Sequence, residues 1–162
     1  MDMQIGGSAS NNLIRLTVPT DINYLASIRQ VALDVSRSAS LEKDEMLDFS
    51  LAVMEAATNA IRHSKSKSLT ATFKVNRDNV VARVIDHGCG FKSHLNGNGF
   101  PSSEKQGGRG IPLMSNLVDR FKIKSHPGQG TEVTLVKKLE RPASSVKLSK
   151  NGLSRASSPY IS

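Results

Sequence analysis

The segment VVARVIDHGCGF, residues 80–91, decides which fold we expect. Its first half alternates apolar residues on one side of an extended chain, which predicts a sheet strand. Asp86 follows that strand, and Gly88 and Gly90 let the backbone turn sharply and come close to a ligand. A carboxylate here can accept a hydrogen bond from an exocyclic amine. The same residues also suit a tight turn capped by the aspartate, so the segment alone leaves both interpretations open.

Working outward, the periodicity changes between strand and helix along one continuous unit. A strand is expected at 13–18, and Thr20 or Asp21 is expected to cap a first helix that ends near 36–40. Ser40 is expected to cap a second helix that runs to about residue 61. The remaining expected elements are strands at 69–75 and 80–86, a helix at 111–119, and a hairpin formed by 121–125 and 131–139. This pattern predicts a layered α+β fold.

The two ends of the chain have different compositions from the centre. Residues 1–12 are rich in Gly, Ser and Asn and are expected to be flexible, while residues 13–140 form one domain. Residues 141–162 carry four basic side chains and no acidic one, which is half of the net charge of +8. This Ser-rich segment is expected to be a disordered tail. A solvated tail is favoured over a tether to nucleic acid or to a membrane.

Composition excludes several classes of protein. The chain has 162 residues, of which 38% are hydrophobic, but no apolar run approaches the ~20 residues of a membrane span. No signal-peptide pattern opens the sequence, so we expect a soluble, cytoplasmic protein. Cys89 is the single cysteine and therefore a thiol, which argues against disulfides and structural zinc. With 4% aromatic residues, extensive stacking on nucleic-acid bases is not expected.

Two further motifs carry polar groups. Glu55 and Asn59 lie four residues apart on the second predicted helix, on the face opposite its apolar stripe. A carboxylate can take a proton from a hydroxyl, and an amide oxygen can bind Mg²⁺, but an ordinary exposed helix face would look the same. The segment GGRGI, residues 107–111, opens a helix and offers free backbone N–H groups to an anion, or is simply a flexible helix start.

Taken together, these motifs resemble those of the GHKL ATPase and kinase superfamily, which includes gyrase, Hsp90, MutL and histidine kinases. EAATNA at 55–60 resembles its N box, DHGCGF at 86–91 its first glycine box, GRG at 108–110 its second, and the GT at 130–131 its last. The resemblance covers about residues 13–139. The short form looks most like the bacterial anti-sigma-factor serine/threonine kinases. It implies a two-layer sandwich of helices on a mixed, mostly antiparallel sheet.

The resemblance also implies a role for each motif residue. Glu55 is the implied catalytic base, Asn59 the Mg²⁺ ligand and Asp86 the acceptor of the adenine amine. Residues 92–107 correspond to the lid over ATP. The other implied nucleotide-binding residues are Gly88 and Gly90 beside the nucleotide, Gly108, Arg109 and Gly110 at the triphosphate, and Thr131 supporting adenine through Asp86 or water.

The implied function is a Mg-ATP-dependent serine/threonine protein kinase that acts as a regulatory switch. Its partners would be an anti-anti-sigma protein as substrate, a sigma factor, and a second copy of the chain in a homodimer. The alternative is a non-catalytic module in which ATP only gates protein binding. A nucleic-acid-binding domain rests on charge alone, so direct binding to nucleic acid is not expected.

Overall fold

The computed structural model describes residues 13–91 and 110–140 in full and residues 2–5 as backbone. The described strands form one six-stranded sheet. The strands are β1 (Asp2–Ile5), β2 (Leu13–Pro19), β3 (Ser68–Val75), β4 (Asn79–Asp86), β5 (Arg120–His126) and β6 (Gly130–Lys138). They lie in the order β1-β2-β3-β4-β6-β5. The helices are α1 (Leu25–Ser38), α2 (Lys43–His63) and α3 (Gly110–Leu117). The predicted α+β fold is confirmed.

The sheet differs from the expectation in two respects. Every pairing between the described strands is antiparallel, so the mixed character that the resemblance implied is not found among them. Residues 2–5, expected to be flexible, instead form β1, whose Asp2 lies opposite Thr17 and whose Ile5 lies opposite Ile14. The reason is that β2 would otherwise be an edge strand, and β1 supplies partners for its free N–H and C=O groups.

The helix starts follow local capping chemistry. Asp21 accepts a hydrogen bond from the Asn23 N–H at 2.9 Å and caps the short 3₁₀ turn that leads into α1, as predicted. The prediction for Ser40 is wrong, because Ser40 has a φ of 60° and lies in the connection between α1 and α2. Glu42 caps α2 instead, and its N–H donates to Glu45 at 3.3 Å within a reciprocal capping box.

The core lies between the helices and one face of the sheet. Strand residues alternate in burial, so that Leu16, Phe73 and Leu135 point toward the helices with almost no exposure. On α2, four small residues are buried in the core: Ala52, Ala56, Ala57 and Ala60. Because these side chains are short, α2 lies close to the sheet, and Phe49 fills the space at its first turns.

Within the residues that the structure describes, no helix combines the length and the apolar character that crossing a bilayer requires.

Candidate functional site

Asp86 ends β4 on the helix-facing side of the sheet and is only 5% exposed. Its carboxylate accepts the Gly88 N–H at 2.9 Å and also the backbone N–H of Thr131. Burial raises the pKa of Asp86 above its ordinary value, and these two N–H groups and the nearby His87 offset part of that rise. A fixed carboxylate in a partly desolvated position is a strong acceptor for a donor group on a ligand.

The first glycine of the turn is held against the end of α2. A Cβ on Gly88 would collide with the backbone carbonyl of Ser64, so only glycine fits there. The next residue, Cys89, donates its N–H to the same Ser64 carbonyl at 2.7 Å, and its thiol lies 3.3 Å from the His63 carbonyl. The turn after Asp86 is therefore anchored to the helix that carries Glu55 and Asn59.

The second glycine of the turn is held on its other side by the β5–β6 connection. Gly90 has a φ of 56°, and a Cβ there would collide with the His126 carbonyl. The Gly128 N–H donates to the Cys89 carbonyl at 2.7 Å. Gly130, with a φ of 86°, lies against the Asp86 carbonyl, where a side chain would not fit. Two of the predicted motifs, at 86–91 and 130–131, thus meet in one place, and Gly128 also contacts the first of them.

Ser125 completes this end of the site and was not predicted from the sequence. Its hydroxyl accepts the Phe91 N–H at 2.9 Å, donates to the Gly130 carbonyl at 3.2 Å and lies 2.9 Å from the Thr131 hydroxyl. The Thr131 side chain therefore binds Ser125, while its backbone N–H binds Asp86. The available signal was the alternation of β5, which places Ser125 on the same buried face as Ile123.

Glu55 and Asn59 meet the start of α3. Both side chains are half-buried on α2, and α3 begins at Gly110 directly against them. A Cβ on Gly110 would collide with the Glu55 carboxylate and lie 3.2 Å from Asn59 Nδ2. The structure therefore brings together Glu55, Asn59 and Gly110. The predicted residues Gly108 and Arg109, and the predicted lid at 92–107, lie outside the described residues.

The two ends of the site share α2 as a common support. Asn59 precedes Ser64 by five residues, which is ~7.5 Å along a helix, and Ser64 contacts the Asp86 turn. A ligand with a hydrogen-bond donor at one end and an anionic group at the other fits this arrangement. Asp86 would accept the donor, and the free N–H groups at the start of α3 would face the anion. Asn59 offers a hard oxygen for a cation such as Mg²⁺ beside that anion.

A family model described as the histidine kinase-like ATPase domain matches residues 18–137. Among curated proteins, the serine-protein kinase RsbW of Bacillus subtilis is 30% identical over 133 residues, covering 75% of this chain and 83% of the relative. RsbW of Staphylococcus epidermidis is 25% identical over 146 residues, covering 82% and 91%. The anti-sigma F factor of Pasteuria penetrans is 29% identical over 107 residues, covering 60% and 71%.

A solved structure gives independent support for the fold. The crystal structure of the RsbU and RsbW domains of Rv1364c from Mycobacterium tuberculosis matches with a TM-score of 0.57 and 22% identity. The match covers 81% of this chain and 33% of that one, so this chain corresponds to about a third of the length of the solved chain. The similarity is one of architecture, and it agrees with helices packed on one face of an antiparallel sheet.

Proposed function

The chain belongs to the anti-sigma-factor kinases of the histidine kinase-like ATPase family, and we propose that it is a Mg-ATP-dependent serine/threonine protein kinase that acts as a regulatory switch. The observation that carries this proposal is the contact of Gly110 with Glu55 and Asn59. This contact places the start of a helix beside a carboxylate and beside an asparagine side chain whose amide oxygen can bind a cation. Phosphoryl transfer requires such charge neutralisation and alignment more than covalent catalysis.

In this proposal Asp86 accepts a hydrogen bond from the adenine amine. Gly88 and Gly90 keep the turn free of side chains, and Thr131 holds the Asp86 carboxylate through its N–H. Because Asp86 is buried, it selects for ligands that donate a hydrogen bond. A ligand without a donor at this position would leave the desolvated carboxylate without a hydrogen-bond partner on that side. At the other end, the N–H groups of residues 108–110 and the Arg109 guanidinium bind the triphosphate.

Asn59 holds the Mg²⁺, and the ion supplies positive charge at the phosphates when it is bound. The oxygen of the substrate hydroxyl attacks the terminal phosphorus of ATP while Glu55 accepts the hydroxyl proton. The bond between that phosphorus and the bridging oxygen to the next phosphate breaks, and ADP leaves with that oxygen. Because Glu55 lies one helical turn from Asn59, the base and the metal ligand share one face of α2. The product is a phosphoserine or phosphothreonine.

The relatives suggest the biological setting. They are named serine-protein kinase RsbW and anti-sigma F factor. By analogy we propose that this chain binds a sigma factor, phosphorylates an anti-anti-sigma protein, forms a homodimer and acts in the cytoplasm. Its regulatory output would depend on which of the two protein partners occupies it.

The first test measures the thermal midpoint with and without Mg-ATP for wild type, Asn59→Ala and Asp48→Asn. Ligand binding to the native state must raise the midpoint, and we expect the rise to be lost or blunted in Asn59→Ala only. Asp48 is the control because it is a half-buried polar residue nearer the start of the same helix. An undiminished shift in Asn59→Ala would contradict the metal-ligand role.

The second test separates the kinase from an ATP-gated binding module. Labelled ATP is incubated with a purified anti-anti-sigma protein and with wild type or Glu55→Gln. We expect labelled phosphoprotein with wild type and none with Glu55→Gln, while the ATP-induced thermal shift is largely kept. Full transfer by Glu55→Gln would refute its role as base, and ATP binding without transfer by wild type would favour the binding module.

A further inference from the structure

The sheet has a second face, opposite the helices and the nucleotide site. We call this surface the open face and define it by the outward residues of β2 to β6. The register between neighbouring strands fixes its membership, because Arg15 lies opposite Thr72, Thr72 opposite Arg83, and Arg83 opposite Thr134. The helices pack on the other face, where the fully buried strand residues lie.

The open face is strongly basic. Its exposed cations outnumber its carboxylates by seven to one, the carboxylate being Glu132, and they are Arg15, Lys74, Arg83, Arg120, Lys122, Lys124 and Lys138. In the described parts of the chain, the ion pairs are Arg37–Asp34 on α1 and Lys137–Glu45 on the helix side, and neither lies on this face. The positive charge of the open face is therefore not neutralised by intramolecular ion pairs within those parts.

Protection of a sheet edge explains only part of this charge. β5 is an edge strand, and lysines along an edge discourage pairing with other chains. Lys74 on β3 and Arg83 on β4 lie on interior strands, where no free edge needs protection. Their side chains are nevertheless exposed on the open face. These interior cations require a different explanation from those of β5.

The middle of the open face is partly apolar. Val81 and Ile85 on β4 and Val136 on β6 are half-buried and point outward between the cations. Val81 lies directly opposite Val136, so the two side chains form an apolar cross-strand pair. Arg83 lies between Val81 and Ile85 on β4, so apolar and basic side chains alternate across the middle of the face, which combines apolar area and charge as protein–protein interfaces do. The outward positions of these five strands include no Phe, Tyr or Trp, so the face lacks the large stacking platform of single-stranded nucleic-acid binders.

We propose that the open face binds an acidic protein whose surface carries carboxylates interspersed with apolar side chains. The five strands span four inter-strand gaps, ~19 Å, and about seven residues of each strand give ~23 Å in the other direction. A surface of this size suits a weak, reversible contact. Because exposed charges dominate the open face, the association is fast and sensitive to salt. This site lies apart from the nucleotide site and does not depend on the proposed kinase activity.

The test uses fluorescence anisotropy with labelled probes and the full chain. The probes are a glutamate-rich peptide carrying leucines, a matched peptide with serines in place of the leucines, a single-stranded oligonucleotide and a DNA duplex. The face variant is Lys74→Glu/Arg83→Glu/Lys122→Glu. The control variant, Arg29→Glu/Lys43→Glu/Lys67→Glu, has the same net charge and reverses exposed cations outside the open face.

We expect the leucine-containing peptide to bind wild type and the control variant, and to bind the face variant about tenfold more weakly. The serine-containing peptide should bind wild type less tightly than the leucine-containing one, because its serines bury less apolar area against Val81, Ile85 and Val136. Both variants should keep the Mg-ATP thermal shift of wild type, which separates this result from a failure of the nucleotide site.

Three outcomes would overturn the proposal. Equal weakening in the face and control variants would show that only net charge matters. Tighter binding of either nucleic acid than of the peptides, lost in the face variant, would assign the open face to nucleic acid. A wild-type dimer in sedimentation that dissociates in the face variant would assign it to a second copy of the chain.

Discussion

Replacing Asp86 by asparagine tests whether the buried carboxylate recognises a nucleotide. The change is almost isosteric, and the side-chain oxygen that remains can still accept the Gly88 N–H now found at 2.9 Å. The other carboxylate oxygen becomes an NH₂ group, which donates and cannot accept. If Asp86 accepts the adenine amine, the variant places a donor against a donor at that position.

The expected loss follows from the strength of the bond that disappears. A hydrogen bond to a charged group contributes about 1.5–3 kcal/mol, and leaving its partner unsatisfied costs a similar amount. Such a change weakens ATP binding by about 10-fold to 150-fold. Isothermal titration calorimetry of wild type and Asp86→Asn with Mg-ATP measures this directly. Asp78→Asn, in the exposed β3–β4 turn, is the matched control and should bind like wild type.

The same variant should also change how the stability of the nucleotide-free protein depends on pH. Burial raises the pKa of folded Asp86 above its unfolded value, ~3.9, so the stability linked to its protonated form is present at low pH. That stability is lost as pH rises through the folded pKa. Asparagine does not titrate, so the free energy of unfolding of Asp86→Asn should rise relative to that of wild type as pH increases from the unfolded pKa of aspartate, ~3.9, through the higher folded pKa of Asp86.

Urea unfolding across this pH range, without nucleotide, measures that difference. Unchanged ATP affinity in a folded Asp86→Asn protein would refute the recognition role. A variant that loses stability relative to wild type as pH rises would refute the conclusion that desolvation dominates the environment of Asp86. The ATP affinity and the pH dependence of stability are measured separately, so one expectation can fail while the other holds.

Other substitutions probe other contacts. Gly110→Ala should weaken Mg-ATP binding in calorimetry while the fold is kept, because the new methyl group displaces the Glu55 carboxylate; wild-type affinity would contradict this. Gly88→Ala should lower the free energy of unfolding by about 1–3 kcal/mol in urea titrations, since its methyl group meets the Ser64 carbonyl; an unchanged midpoint would show that the turn can shift freely. Phe49→Ala should cost about 3–5 kcal/mol in the same assay because it empties a fully buried site, and a loss below about 1 kcal/mol would mean that α2 collapses into the space.

Local patterns predicted most of the described elements. The hairpin β3–β4 follows from alternating apolar residues around a polar turn at 77–79, and the hairpin β5–β6 follows from a Pro-Gly turn in the same way. The prediction that Ser40 caps α2 was wrong because serine is favoured both at helix caps and in turns. The reciprocal hydrogen bonds between Glu42 and Glu45 start the helix at Glu42 instead. Pairing of β1 depends on a partner strand, which its four residues do not reveal.

The candidate site likewise contains residues that the local sequence predicts and residues that it does not. Asp86 and its glycines were predictable because strand, carboxylate and turn are adjacent in sequence. Ser125 was not, since a serine in a strand carries no local sign that its hydroxyl will join Phe91 to Thr131. The meeting of Glu55 with Gly110 joins residues far apart in the chain, and only the family resemblance suggested it. Long-range contacts of this kind depend on tertiary packing rather than on local propensity.

The strand order also bears on how the chain folds and how it can change. Neighbouring β4 and β6 are joined in sequence by residues 87–129, and β2 and β3 by the whole α1–α2 unit, so two of the central pairings are non-local. Non-local pairing slows folding, and we expect refolding on the slower scale of mixed folds. Closing a longer loop, however, adds only ~0.6 kcal/mol for each doubling of its length. Lengthening the connection between β4 and β6 is therefore inexpensive for the fold, so thermodynamic stability places little constraint on the length of that connection.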